Sequence, residues 1–161
     1  MTDDNHAVIM LRARFGDSII SVKKFRDEVT VTVVKENLIK ICGFLKENLQ
    51  YNFLTDVTAV DCMGKTPRFI MVYQLLSMPG KERLRLKATV NESDPAIDSL
   101  VPLWKTANWL EREVFDMFGI TFNNHPDLRR ILLTDDWSGH PLRKNYPLQG
   151  PDREPYKGRL S

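Results

Sequence analysis

The chain has 161 residues, of which 42% are hydrophobic and 27% charged, a composition that suits one globular domain. A net charge of +2 excludes the basic stripe of a dedicated nucleic-acid binder, and no apolar run approaches the ~18 residues of a membrane-spanning helix. Cys42 and Cys62 stand far apart with no Cys-x-x-Cys pair, which excludes a self-contained four-cysteine zinc or iron–sulfur site. Both read as small buried hydrophobes in a reducing compartment. The opening residues, Met1 to His6, lack the basic and apolar regions of a signal peptide.

In chain order, Ala7, Val8, Leu11 and Phe15 recur at helical spacing, with Gly16 as a stop. Two strands follow, Ser18 to Phe25 and Glu28 to Val34, joined by a tight turn at Arg26-Asp27. Leu38, Ile41, Cys42, Leu45 and Leu49 mark an amphipathic helix, slightly weakened by Gly43. Three strands come next, over 55–62, Arg68–Leu76 and Glu82–Val90, with turns at Gly64–Pro67 and Pro79-Gly80. In the last of them Leu84, Leu86, Ala88 and Val90 face one way, and Arg83, Arg85, Lys87 and Thr89 the other. That second face is either solvated or set against an acidic neighbour. Asp94-Pro95 predicts a short helix before Pro102, and Thr106 a cap for a helix from Ala107 to Phe118 ended by Gly119. The order predicts an α+β fold: a two-layer sandwich of a mostly antiparallel or mixed five-stranded sheet with helices, plus an extended C-terminal tail.

On the helix from Ala107, the residues Leu110, Val114, Phe115, Met117 and Phe118 share one arc, and Glu111 falls inside it. A carboxylate there is at least half buried and needs an arginine or several N–H donors; an arginine partner is expected, with Arg129, Arg130 and Arg143 as candidates. Arg112 and Asp116 sit on the opposite face as an i, i+4 pair, beside Glu113. Glu111 and Glu113 point too far apart to act on one substrate. Trp109 also lies among the charges, where an aromatic side chain marks an interface.

Residues 119–161 carry five of the nine prolines and the chain's positive excess, seven Lys and Arg against five Asp and Glu. Proline fixes φ and removes a donor, so an irregular, extended course is expected. Trp137, Leu142 and Tyr146 are too apolar for a free linker, and arginines and aromatics are enriched at interface anchors. The chain therefore divides into a core domain, 1–118, and a Pro-rich docking tail, 119–161. From about residue 135 the tail is expected to lie on another protein, to be mobile over 140–161 in isolation, and to be removable after Leu133 without unfolding the core. His125, Asp127, Asp135, Asp136 and His140 invite a metal-site reading, but their spacing matches no compact ligand pattern. Hydrogen-bonded structural histidines are the simpler reading, and no nucleophile elbow, phosphate loop or dinucleotide fingerprint occurs.

Three runs carry a resemblance: Glu111-Arg112-Glu113 with Asp116-Met-Phe-Gly119; His125-Pro126-Asp-Leu-Arg129-Arg130; and Gly139-His-Pro141-Leu-Arg143-Lys144 leading to Tyr-Pro147. Together they resemble the thirty-kilodalton subunit family of respiratory NADH:quinone oxidoreductase (complex I), in its bacterial form. The resemblance implies a non-catalytic structural and assembly subunit of the hydrophilic arm, docked chiefly beside the quinone-site subunit. It implies no cofactor in this chain, with FMN and iron–sulfur clusters on other subunits. It places the chain peripherally on the cytoplasmic side of a bacterial inner membrane, held there through the complex. The length is similar to that of a stand-alone subunit rather than a fused form. Equivalent subunits of membrane-bound hydrogenases and other quinone-linked oxidoreductases share such motifs. The rival from another class is a small metal-dependent hydrolase using His125 and His140.

Overall fold

A computed structural model of the chain describes residues 5–148. It contains α1 (His6–Phe15), β1 (Ile19–Phe25), β2 (Glu28–Val33), α2 (Leu38–Asn48), β3 (Phe53–Asp61), β4 (Phe69–Ser77) and β5 (Glu82–Val90). These are followed by β6 (Ala96–Asp98), α3 (Ala107–Phe118) and β7 (Thr121–Asn123). Asn5 caps α1 by accepting the Val8 N–H at 3.2 Å. Arg26 and Asp27 both take positive φ, 49° and 63°, the twist a two-residue hairpin turn requires between β1 and β2.

The five-stranded sheet has the order β1-β2-β5-β4-β3, antiparallel except where β2 and β5 run parallel. This is the expected mixed α+β sandwich. Strand alternation sends Val29, Val31, Val33, Leu84, Leu86, Phe69, Met71, Tyr73 and Leu75 to one face, where they meet Leu11, Leu38, Ile41, Leu45 and Val114 of the helices. The elements form because this one face removes most of the large apolar side chains from water.

Two elements differ from expectation. Residues 94–98 hold no helix: Ala96–Asp98 pairs in parallel with Thr121–Asn123, extended by Thr121 N–H to the Pro95 carbonyl at 2.8 Å and Ser99 N–H to that of Asn123 at 3.0 Å. Ile97 and Phe122 bury together in this pair, and the distant partner outweighs the local capping signal. Thr106 makes no capping bond to α3; its hydroxyl donates to the Leu54 carbonyl at 3.4 Å.

The division at residue 118 also does not match the packing. Ile120 and Phe122 belong to the core, and residues 128–146 wrap over α3. Of the segment expected to be mobile, 140–146 is bonded to the chain's own domain. Residues 149–161 lie outside the described part.

Candidate functional site

Asp116 organises the wrapped segment. Its carboxylate is fully buried, and Oδ2 accepts three successive backbone N–H groups, from Ile131, Leu132 and Leu133, at 3.1, 2.8 and 2.9 Å. Oδ1 meets the Arg130 guanidinium at 2.5 Å, and Arg130 Nη2 reaches on to the carbonyls of Trp137 and Gly139 at 3.0 and 3.3 Å. Burial alone would raise this carboxyl's pKa; the N–H of Leu133, Arg130, and the N–H groups of Leu132 and Ile131 together hold it below the usual value.

The same segment closes the C-terminus of α3. A helix leaves its last four carbonyls without partners. Here Gly119 N–H donates to Phe115 O at 2.8 Å, His140 Nδ1 to Asp116 O at 2.9 Å, Leu142 N–H to Met117 O at 3.1 Å and Arg143 Nε to Phe118 O at 2.5 Å. Gly119 turns at φ +68, and a Cβ there would lie 2.4 Å from His140 Nε2 and 2.7 Å from Arg143 Nη2. Gly139, at φ +84, lets Tyr146 approach in the same way. On the outer side of α3, Arg112 donates to the carbonyls of Arg129 and Arg130 at 3.1 and 3.0 Å and lies 5.2 Å from the Trp109 ring.

A second anchorage holds the end of the wrap. Asp61 binds Arg68 bidentately at 2.9 and 2.7 Å and accepts the Lys144 N–H at 2.8 Å, while Arg68 also meets Glu92 and the Asn145 side chain. Arg68 is the main cause that brings Asp61 down to about 2. The guanidiniums of Arg68 and Arg143 both lie over the Phe69 ring, at 5.1 and 5.3 Å from its centroid.

Glu111 is buried, as expected, but not beside an arginine. Its partners are the Ser99 hydroxyl and the Leu100 N–H, both at 2.7 Å. Arg130 and Arg143 serve Asp116 and the helix end, and Arg129 pairs with Asp127 at the surface. Burial without a cation pushes Glu111 up to about 7 against those two hydrogen bonds. The expected Arg112–Asp116 pair is likewise absent from the ion pairs among the described residues; both side chains are buried under the wrap and engaged with it.

His125 lies 3.9 Å from Glu111 with its imidazole buried. Its Nδ1 accepts the Asp127 N–H at 3.0 Å and Nε2 faces the Asn108 carbonyl at 3.3 Å, so both nitrogens are occupied by backbone. His140 is occupied by the end of α3, and burial lowers its pKa. The two histidines therefore belong to separate structural roles. Among the described residues, no group of three or more His, Cys, Asp or Glu is placed to hold a metal. Cys42 is buried as expected, whereas Cys62 is only half-buried.

Of the remaining motif positions, Glu113, Pro126 and Lys144 are exposed, and Pro141 is half-buried between the two capping residues His140 and Leu142. Trp109 and Leu142 stay exposed, at 62% and 52%, while Trp137 and Tyr146 are half-buried. The roles of Ser99, Asp61, Arg68 and Asn145 do not follow from the sequence pattern. Only Asp61 and Arg68 leave a trace in it, as opposite charges at the base of a strand–turn–strand unit.

Residues 31–152 match the model of the family described as "Respiratory-chain NADH dehydrogenase, 30 Kd subunit". The chain belongs to this family. It is 65% identical to the C subunit of the NADH-quinone oxidoreductase of Geobacter sulfurreducens, with all of both chains covered. It is 64% identical to the protein of that name from Geotalea uraniireducens, over 100% of this chain and 98% of that one. The solved trypsin-resistant fragment of Nqo5 superposes with a TM-score of 0.67 at 31% identity, over 75% of this chain and 97% of the fragment. A chain of the archaeal membrane-bound sulfane sulfur reductase shares the fold, with a TM-score of 0.77 at 18% identity over 91% of this chain and 87% of that one. Within the matched span, Asp116, Gly119, Arg130, His140 and Arg143 finish α3 and, with Arg112, tie the wrap to it. As a member of this family the chain is a subunit of a respiratory oxidoreductase complex and assembles with other subunits.

Proposed function

We propose that this chain is a non-catalytic structural and assembly subunit of the hydrophilic arm of a proton-translocating NADH:quinone oxidoreductase, docked beside the subunit that carries the quinone pocket. The observation that carries this reading is the division of labour within the motif. Four of its charges, Arg112, Asp116, Arg130 and Arg143, are spent on the chain's own backbone and on one another. Four large apolar side chains on α3 and the wrap instead point outward: Trp109, Leu132, Leu142 and Leu148 are at least half exposed. Apolar anchors on a surface stiffened from beneath suit docking, since less freedom is lost on binding.

FMN and iron–sulfur clusters are assigned to other subunits, because the two cysteines here are separate and free. No helix among the described residues is long and apolar enough to cross a membrane. Attachment is therefore assigned to the partners, on the cytoplasmic side.

The test is to replace Trp109 and Leu142 together by arginine and purify the complex from membranes. The variant is expected to keep its fold and melting behaviour but to be missing from the complex, with NADH-dependent quinone reduction lost. Normal incorporation with full activity would overturn the docking role, and a stoichiometric metal or visible absorption band in the purified chain would overturn the cofactor assignment.

A further inference from the structure

The helices of this chain pack on one face of the five-stranded sheet, and among the described residues no element covers the other. Strand registers sort what that open face carries. Toward the β3 edge it carries an apolar pair at each end, Val60 with Ile70 and Phe53 with Leu76, with Asp56, Thr58 and Gln74 between them; Phe53 and Val60 remain 46% and 45% exposed. Toward the β1 edge it is basic: Lys23 opposes Thr30, Thr30 opposes Arg85, Thr32 opposes Lys87, and Arg83 follows on the same side of β5.

The basic half is not neutralised from within. Arg85 is held by Glu28 at 2.6 Å. Lys23, Arg83 and Lys87 make no ion pair among the described residues. Like charges gathered on one face, from β1 and from alternate positions of β5, repel one another, and the exposed apolar pads add surface that water does not favour. A partner bearing carboxylates and an apolar stripe removes both costs at once.

We infer that the open face of the sheet seats an acidic, amphipathic protein segment from another subunit of the same complex. Its apolar side lies on Phe53, Val60, Ile70 and Leu76, and its carboxylates meet Lys23, Arg83 and Lys87. This surface is on the opposite side of the sheet from α3 and its wrap, so the chain is gripped from two sides. The inference rests on the reading of the chain as a subunit, and goes beyond the docking surface assigned above.

The experiment compares the isolated full chain with the intact complex. Both are treated with an amine-acetylating reagent, and the complex also with a carbodiimide that joins lysines to touching carboxylates. In the complex, acetylation of Lys23 and Lys87 is expected to fall several-fold, and one of them to be joined to an Asp or Glu of a different subunit. Equal acetylation in both samples, or coupling only to a second copy of this chain, overturns the inference. A chain missing from the purified complex would instead overturn the function proposed above, so the two failures are distinguishable.

Discussion

Glu111 and Asp116 lie on one helix, both fully buried, yet their surroundings drive their pKa values in opposite directions. Asp116 has one guanidinium and three N–H donors; Glu111 has one hydroxyl and one N–H. The folded pKa of Glu111, about 7, stands above the ordinary 4.5, so the folded chain retains a proton that the unfolded chain releases. This contribution is complete below the unfolded value and is lost as pH rises through about 7, a change of roughly 3 kcal/mol. Glu111→Gln keeps an acceptor for the Leu100 N–H and turns its NH2 toward the Ser99 hydroxyl, which can accept instead, without burying a charge. It is therefore expected to match the parent in mild acid and to exceed its stability by up to about 3 kcal/mol above pH 8, by urea unfolding. Parallel pH profiles for the two proteins would show that Glu111 does not titrate as described. For Asp116 the sign reverses: its folded pKa is lowered, so its stabilisation is present above the ordinary carboxylate range and is lost as pH falls. Asp116→Asn cannot accept from Arg130 and from the three N–H groups at once. A loss of about 3 kcal/mol or more is expected, as when one partner of a buried pair is removed. A variant that unfolds together with the parent refutes this.

The end of α3 is an element-scale structure, since its last four carbonyls are served by residues spread from Gly119 to Arg143. Gly119→Ala must strain the left-handed turn and also push His140 and Arg143 out of their bonds. We expect at least about 2 kcal/mol of destabilisation, read from the melting transition; an unchanged transition would show that the cap bears little of the fold's stability. His140 adds an acid-sensitive contribution. Its folded pKa is lowered, so this part of the stability is whole above 6.5 and declines as pH falls through the folded value. Much of this architecture is legible locally. The two-residue turn at Arg26-Asp27, the alternation in β2 and β5 and the stripes of α1 and α2 all lie within one element or one hairpin. Residues 94–98 mislead because the strand they form depends on Thr121–Asn123, and a local pattern contains no trace of a distant partner. Arg112 and Asp116 look like surface residues for a related reason: the segment that buries them arrives more than ten residues later. The burial of Glu111 is legible from the helix arc, whereas its partners come from the loop after β6.

At the scale of the whole molecule, the wrap belongs to the domain that its composition suggests it would leave. Cutting after Leu133 keeps the N–H groups that serve Asp116 but removes the His140, Leu142 and Arg143 caps and the Lys144–Asp61 and Asn145–Arg68 links. At roughly 1 kcal/mol for each lost bond, that chain is expected to be several kcal/mol less stable than the parent. A chain ending at Leu148 retains every one of these bonds and is expected to melt well above the one ending at Leu133 in thermal unfolding. Equal melting of the two truncations would show that the wrap is energetically idle. The reach of this wrap also bears on synthesis at the ribosome. Asp61 waits for a donor that is 83 residues downstream, and Asp116 for donors up to 17 residues downstream. A nascent chain that has emerged only as far as α3 therefore holds two carboxylates and a helix end that burial would penalise. The domain closes only when Arg143 and Lys144 clear the exit tunnel, so the wrap sets after every strand and helix that it ties down.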